Sequence, residues 1–157
     1  MEYATILTRI RQIVRAVNVE SKRLQKEAGI SIPQLLCLNF LSQQEELRAS
    51  HSQIKSFVQL NASTVTGIIT RLEAKGLVAR LPRTEDKRVR YITITAKGVE
   101  LLRDIPEPMH ARITQRLRAL SDEELEKLQG SFDYIIEFLK IDSDYTAPIV
   151  TADISSD

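Results

Sequence analysis

The chain has 157 residues, 43% hydrophobic and 27% charged, the balance of an ordinary soluble domain with enough apolar side chains to build a core. No run of about 18 apolar residues occurs, and Arg9 and Arg11 interrupt the N-terminal stretch, so neither a membrane span nor a secretory leader is expected. The single cysteine, Cys37, excludes an intramolecular disulfide framework and makes a reducing cytoplasm the default.

Residues 3 to about 28 carry Ile6, Leu7, Ile10, Val14, Val17 and Leu24 at roughly helical spacing, and Gly29 is placed to stop the helix. Ser31 then caps a second helix, with Gln34 closing a capping box and Ile30 and Leu35 spaced as a hydrophobic staple. This helix runs to about Gln44 and is apolar enough to lie at the centre of the core. Ser50 and Gln53 repeat the device for a short third helix bearing Ile54, Phe57 and Val58. Asn61 caps a fourth helix from Ala62, ended by Gly76, with Val65, Ile68, Ile69 and Leu72 facing inward. Two short helices joined so tightly fit a helix-turn-helix.

Leu77 to Pro82 and Val89 to Thr95 read as two strands of a hairpin, because Ile92 and Ile94 alternate with Thr93 and Thr95. Thr95 caps the next helix, which Pro106 and Pro108 break near Ile105. Ser121 and Glu124 form another capping box, flanked by the Leu120–Leu125 staple, and open a last helix to about Ile141. Residues 142–157 hold four aspartates and no cation, the composition of a mobile tail. The terminal helices are more apolar than a small winged-helix core can cover, so they either complete a larger monomer or meet a second copy.

The formal net charge of +1 conceals an asymmetry. Residues 48–97 hold ten cations against three acids, a local excess of +7 that leaves −6 for the rest. A basic middle between acidic ends suggests a local polyanion-binding face. Ser63, Thr64, Thr66, Gly67, Thr70 and Arg71 lie on or near one side of the fourth helix. The hairpin adds Arg83, Asp86, Lys87, Arg88 and Arg90. Short hydroxyls and arginines reach base edges and phosphates in a groove, so these residues are the candidate DNA contacts. His51 has two readings, a phosphate contact or plain surface. Neither histidine has a nucleophile or metal-ligand pattern around it, so no enzyme, cofactor or metal site is expected.

STVTGIITRLEAKGLV at 63–78, Asp86-Lys87-Arg88 in the wing and TITAKG at 93–98 together resemble the MarR (multiple antibiotic resistance regulator) family. The resemblance extends over residues 1 to about 141. It implies a mainly α fold with a small β-hairpin wing, a winged helix-turn-helix at 31–98 and dimerisation helices at 1–28 and 99–141. It further implies a homodimeric transcriptional regulator, commonly a repressor, on a pseudo-palindromic double-stranded DNA operator, released by a small-molecule effector. On that basis Ser63, Thr64, Thr66, Thr70 and Arg71 line the major groove. Arg88 enters the minor groove, braced by Asp86; the other reading of Asp86 is a turn former. Cys37, between Leu36 and Leu38, reads as core rather than as an oxidant sensor. The competing reading of the whole is a winged-helix protein-interaction module that binds no DNA.

Overall fold

Each capping signal in the sequence starts a helix. In the computed structural model, which describes residues 2–83 and 88–139, α1 spans Tyr3–Ala28 and ends where Gly29 turns left-handed at φ 66°. Ser31 accepts from the Gln34 N–H, and the Gln34 side chain accepts from the Ser31 N–H at 2.9 Å, opening α2 over Ile32–Ser42. The same reciprocal box, Ser50 with Gln53, opens α3 at His51–Val58. Asn61 caps α4, Ala62–Ala74. At its end, the N–H groups of Gly76 and Leu77 reach back to Glu73 and Leu72, a Schellman turn that uses the positive φ of Gly76.

The hairpin strands are shorter than expected, β2 at Val78–Arg80 and β3 at Tyr91–Ile94. A third strand, β1 at Arg48–Ser50, was not anticipated. It follows a short 3₁₀ turn at Glu45–Leu47, in which Glu46 and Leu47 take positive φ. The sheet is antiparallel in the order β1-β3-β2, with Ala49 opposite Ile92 and Val78 opposite Ile94 on its buried face.

Helix α5, Ala96–Asp104, is capped by Thr95 and stops before Pro106, where the sequence placed the break. The chain divides there into two units, one ending at Ile105 and one beginning at Pro106. The first holds the core: Leu35, Leu38 and Leu41 of α2, Ile54 of α3, Val65, Ile69 and Leu72 of α4, and Ile92 of β3 are essentially inaccessible to solvent. Burying each such side chain contributes roughly 1.5–3 kcal/mol. Phe40 and Phe57 stack at 4.5 Å between ring centres, joining α2 to α3. Cys37 is buried, and desolvation pushes its thiol up to about 12. In the second unit α6 spans Met109–Leu117, and Ser121 with Glu124 opens α7, Asp122–Phe138.

Long helical faces remain bare. Val14 and Val19 of α1 are 53% and 60% exposed, and Tyr134 and Phe138 of α7 are 64% and 72% exposed. No described helix is long and apolar enough to cross a membrane.

Candidate nucleic-acid interface

The 3.6-residue period divides α4 cleanly. Val65, Ile68, Ile69 and Leu72 are buried, while Ser63, Thr66, Thr70 and Arg71 stand exposed on the other side. Thr64 and Gly67 are half-buried at the margin. Asn61 Oδ1 accepts from both the Thr64 N–H at 2.8 Å and the Ser63 hydroxyl at 2.9 Å, which fixes the first turn. Arg71 is exposed, with no ion-pair partner among the described residues.

Two residues outside the expected set tie this face to its surroundings. The alternation of β2 puts Arg80 on the same side as Val78, so its side chain runs back onto α4. There Arg80 Nη1 pairs with Glu73 Oε1 at 2.6 Å and Nη2 donates to Thr70 Oγ1 at 3.0 Å. The Arg80 N–H also donates to Glu73 Oε2 at 3.1 Å, so one carboxylate holds backbone and side chain together. From α3, His51 Nε2 lies 3.0 Å from Thr66 Oγ1. Burial first, then the charges of Arg80 and Lys55, lowers the His51 pKa.

A shallow cleft of about 420 Å³ opens between the start of α3 and the wing. Ser50, His51, Ser52, Lys55, Arg88, Val89 and Arg90 line it. A helix N-terminus beside three cations favours an anion. Arg83, Arg88 and Arg90 are all exposed, whereas Asp86 and Lys87 lie outside the described residues, so the Asp86–Arg88 brace does too.

The basic excess of the middle segment is not one continuous face. Arg48 pairs with Glu46 at 2.6 Å and covers the Tyr91 ring at 4.9 Å. Lys75 donates to the Gly29 carbonyl, and Lys97 to the Lys75 carbonyl at 2.9 Å. These three cations serve the fold; Lys55, Arg71, Arg83, Arg88 and Arg90 are exposed.

Over residues 30–89, which span α2, the helix-turn-helix and the first half of the wing, the sequence matches the MarR family. The winged-helix segment of the chain is that of the MarR family. Similar proteins include the transcriptional repressor MprA of Escherichia coli K12, 27% identical across 79% of this chain and 71% of that one. The transcriptional repressor IacR of Pseudomonas putida is 25% identical across 76% and 70%. Among solved structures, the MarR family regulator Sco3205 of Streptomyces coelicolor, determined in complex with DNA, superposes with a TM-score of 0.70 at 21% identity. That match covers 92% of this chain and 91% of the other, and it shows the shared fold.

Proposed function

We propose that this MarR-family protein is a sequence-specific DNA-binding transcriptional regulator, a cytoplasmic homodimer that represses from a pseudo-palindromic operator and leaves it when a small molecule binds. The observation that carries the reading is the exposed side of α4. Its exposed hydroxyls and Arg71 lie on one side of the helix, and Thr66 meets His51, which lines a cleft with Lys55, Arg88 and Arg90. Here α4 enters the major groove with Ser63, Thr64, Thr66, Gly67, Thr70 and Arg71 toward the bases. Arg83, Lys87 and Arg90 meet phosphates, and Arg88, braced by Asp86, enters the minor groove, where narrow A·T-rich stretches concentrate negative potential. The names of MprA and IacR as repressors support the direction of regulation. No catalytic step belongs to this reading, since the related proteins are regulators.

The bare faces of α1 and α7 support the dimer, because apolar helical surface of that extent is normally covered. Two-fold symmetry then sets two α4 helices about 34 Å apart, one turn of DNA. The test is fluorescence anisotropy with labelled duplexes from the DNA adjoining the gene, across a salt series. Affinity should fall steeply, by about 0.9 log units per log unit of salt for each phosphate neutralised. Absence of saturable binding at about 50 mM salt to any such duplex would favour the protein-interaction module instead. Sedimentation as a single chain would refute the dimer.

A further inference from the structure

Thr66 and Thr70 have no hydroxyl proton left to offer a base. Thr66 Oγ1 donates to the Ala62 carbonyl at 2.9 Å, and Thr70 Oγ1 donates to the Thr66 carbonyl at 2.8 Å. Each oxygen is then available only as an acceptor. On Thr66 that role is taken by His51 Nε2 at 3.0 Å, and because the threonine proton is already placed, Nε2 must carry the ring proton. On Thr70 it is taken by Arg80 Nη2 at 3.0 Å, with Arg80 in turn held by Glu73. Both hydroxyls are therefore turned back onto the helix and sideways into the protein. The second branch on each Cβ, the Cγ2 methyl, is the part of these exposed side chains that no hydrogen bond holds.

We propose that Thr66 and Thr70 read the C5 methyl groups of thymine in the major groove by apolar contact, with His51 and the Glu73–Arg80 pair as positioning residues that hold the hydroxyls aside. The inference rests on the DNA-binding reading above and sharpens it to a base class. Among base edges in that groove only thymine carries a methyl group, and a threonine methyl is a natural partner for it. The two residues are four apart, so their methyls lie about 6 Å apart along the helix axis. That separation matches roughly two base steps at about 3.4 Å each. Donation to guanine O6 or N7, or to thymine O4, would first require breaking a bond to the helix backbone.

The experiment begins with a duplex enriched from random-sequence DNA by the full-length wild-type protein. Each thymine of that duplex is then replaced by deoxyuridine, which deletes the methyl and leaves every hydrogen-bonding group in place. We expect losses of about three- to five-fold, the scale of one buried methyl-sized group, at two positions in each half-site. Thr66→Ser and Thr70→Ser, which keep the hydroxyl and delete the methyl, should bind thymine and deoxyuridine duplexes alike. Thr66→Val and Thr70→Val should retain the discrimination. The reverse pattern, or a wild-type protein indifferent to every deoxyuridine, would overturn methyl reading while leaving DNA binding intact. Failure to enrich any duplex would overturn the DNA-binding reading itself, and this inference with it. The deoxyuridine series uses only wild-type protein, so it decides the matter even where a variant fails to fold.

Discussion

Gly98 offers a test in which the usual sign of a glycine-to-alanine change is reversed. It is the third residue of α5, and its N–H donates to the capping Thr95 hydroxyl at 3.2 Å. In an open helical site, replacing Gly by Ala stabilises by about 1 kcal/mol. At Gly98, however, an added Cβ would fall 2.4 Å from the Leu77 carbonyl oxygen and 2.7 Å from Ile94 Cγ1. Leu77 O cannot simply retreat, because it accepts the Thr95 N–H at 3.0 Å and so holds the start of α5 against the end of α4. Overpacking against backbone costs about 2–3 kcal/mol, which outweighs the helix gain and leaves a net loss of about 1–2 kcal/mol. For a chain of this size that lowers Tm by about 2–8 °C. Gly67 supplies the contrast, since a Cβ there meets nothing within 4 Å and Gly67→Ala should raise Tm by about 2–4 °C. Thermal melts followed by circular dichroism at matched concentration would compare the two. If both variants gain stability, the close approach of α5 to Leu77 is wrong.

Other outcomes follow from the same geometry. Arg88→Ala should weaken operator binding by about 1–3 kcal/mol; equal affinity in anisotropy would remove Arg88 from the interface. Cys37, buried with its thiol pushed up to about 12, should resist a thiol-reactive disulfide at neutral pH and react fully once the chain is unfolded. Rapid labelling of the native protein would contradict its burial. The His51 pKa is lowered, so the unfolded chain takes up this proton first and the residue favours folding more at neutral than at mildly acid pH. A phosphate placed in the cleft that His51 lines with Lys55, Arg88 and Arg90 reverses the local field. DNA affinity should then rise as pH falls toward the His51 pKa, by at most about ten-fold per pH unit for one proton. His51→Gln should flatten that slope, and an unaltered slope would assign the proton elsewhere.

The helix starts were legible because capping is local chemistry. Ser31, Ser50, Asn61, Thr95 and Ser121 each satisfy an N–H a few residues along, and no distant partner is needed. β1 was not legible for the opposite reason. Its three residues carry no pattern of their own, and the pairing that makes them a strand comes from Tyr91 to Thr93, more than 40 positions away. The exposed side of α4 could be read from the 3.6-residue period, but not where its hydroxyls point. His51 and Arg80 reach Thr66 and Thr70 only after α3 and β2 have folded against α4. Charge counting likewise located a basic segment without revealing that Arg48, Lys75 and Lys97 are committed to the fold.

β1 also acts as a ruler. Its last residue, Ser50, is paired with Tyr91 in the sheet and caps α3, and the next N–H, that of His51, donates to Arg90 O at 3.2 Å. The wing and the helix-turn-helix are thus both indexed to one tripeptide. One residue inserted within the turn at 45–47 that shifted β1 by one place would turn Ala49 out to solvent and bring a polar neighbour inward. The same step would slide Ser50, together with the start of α3 that it caps, out of register with Tyr91 of β3. Loop length ahead of β1, which touches no candidate contact, thereby sets the register between the wing and the helix-turn-helix.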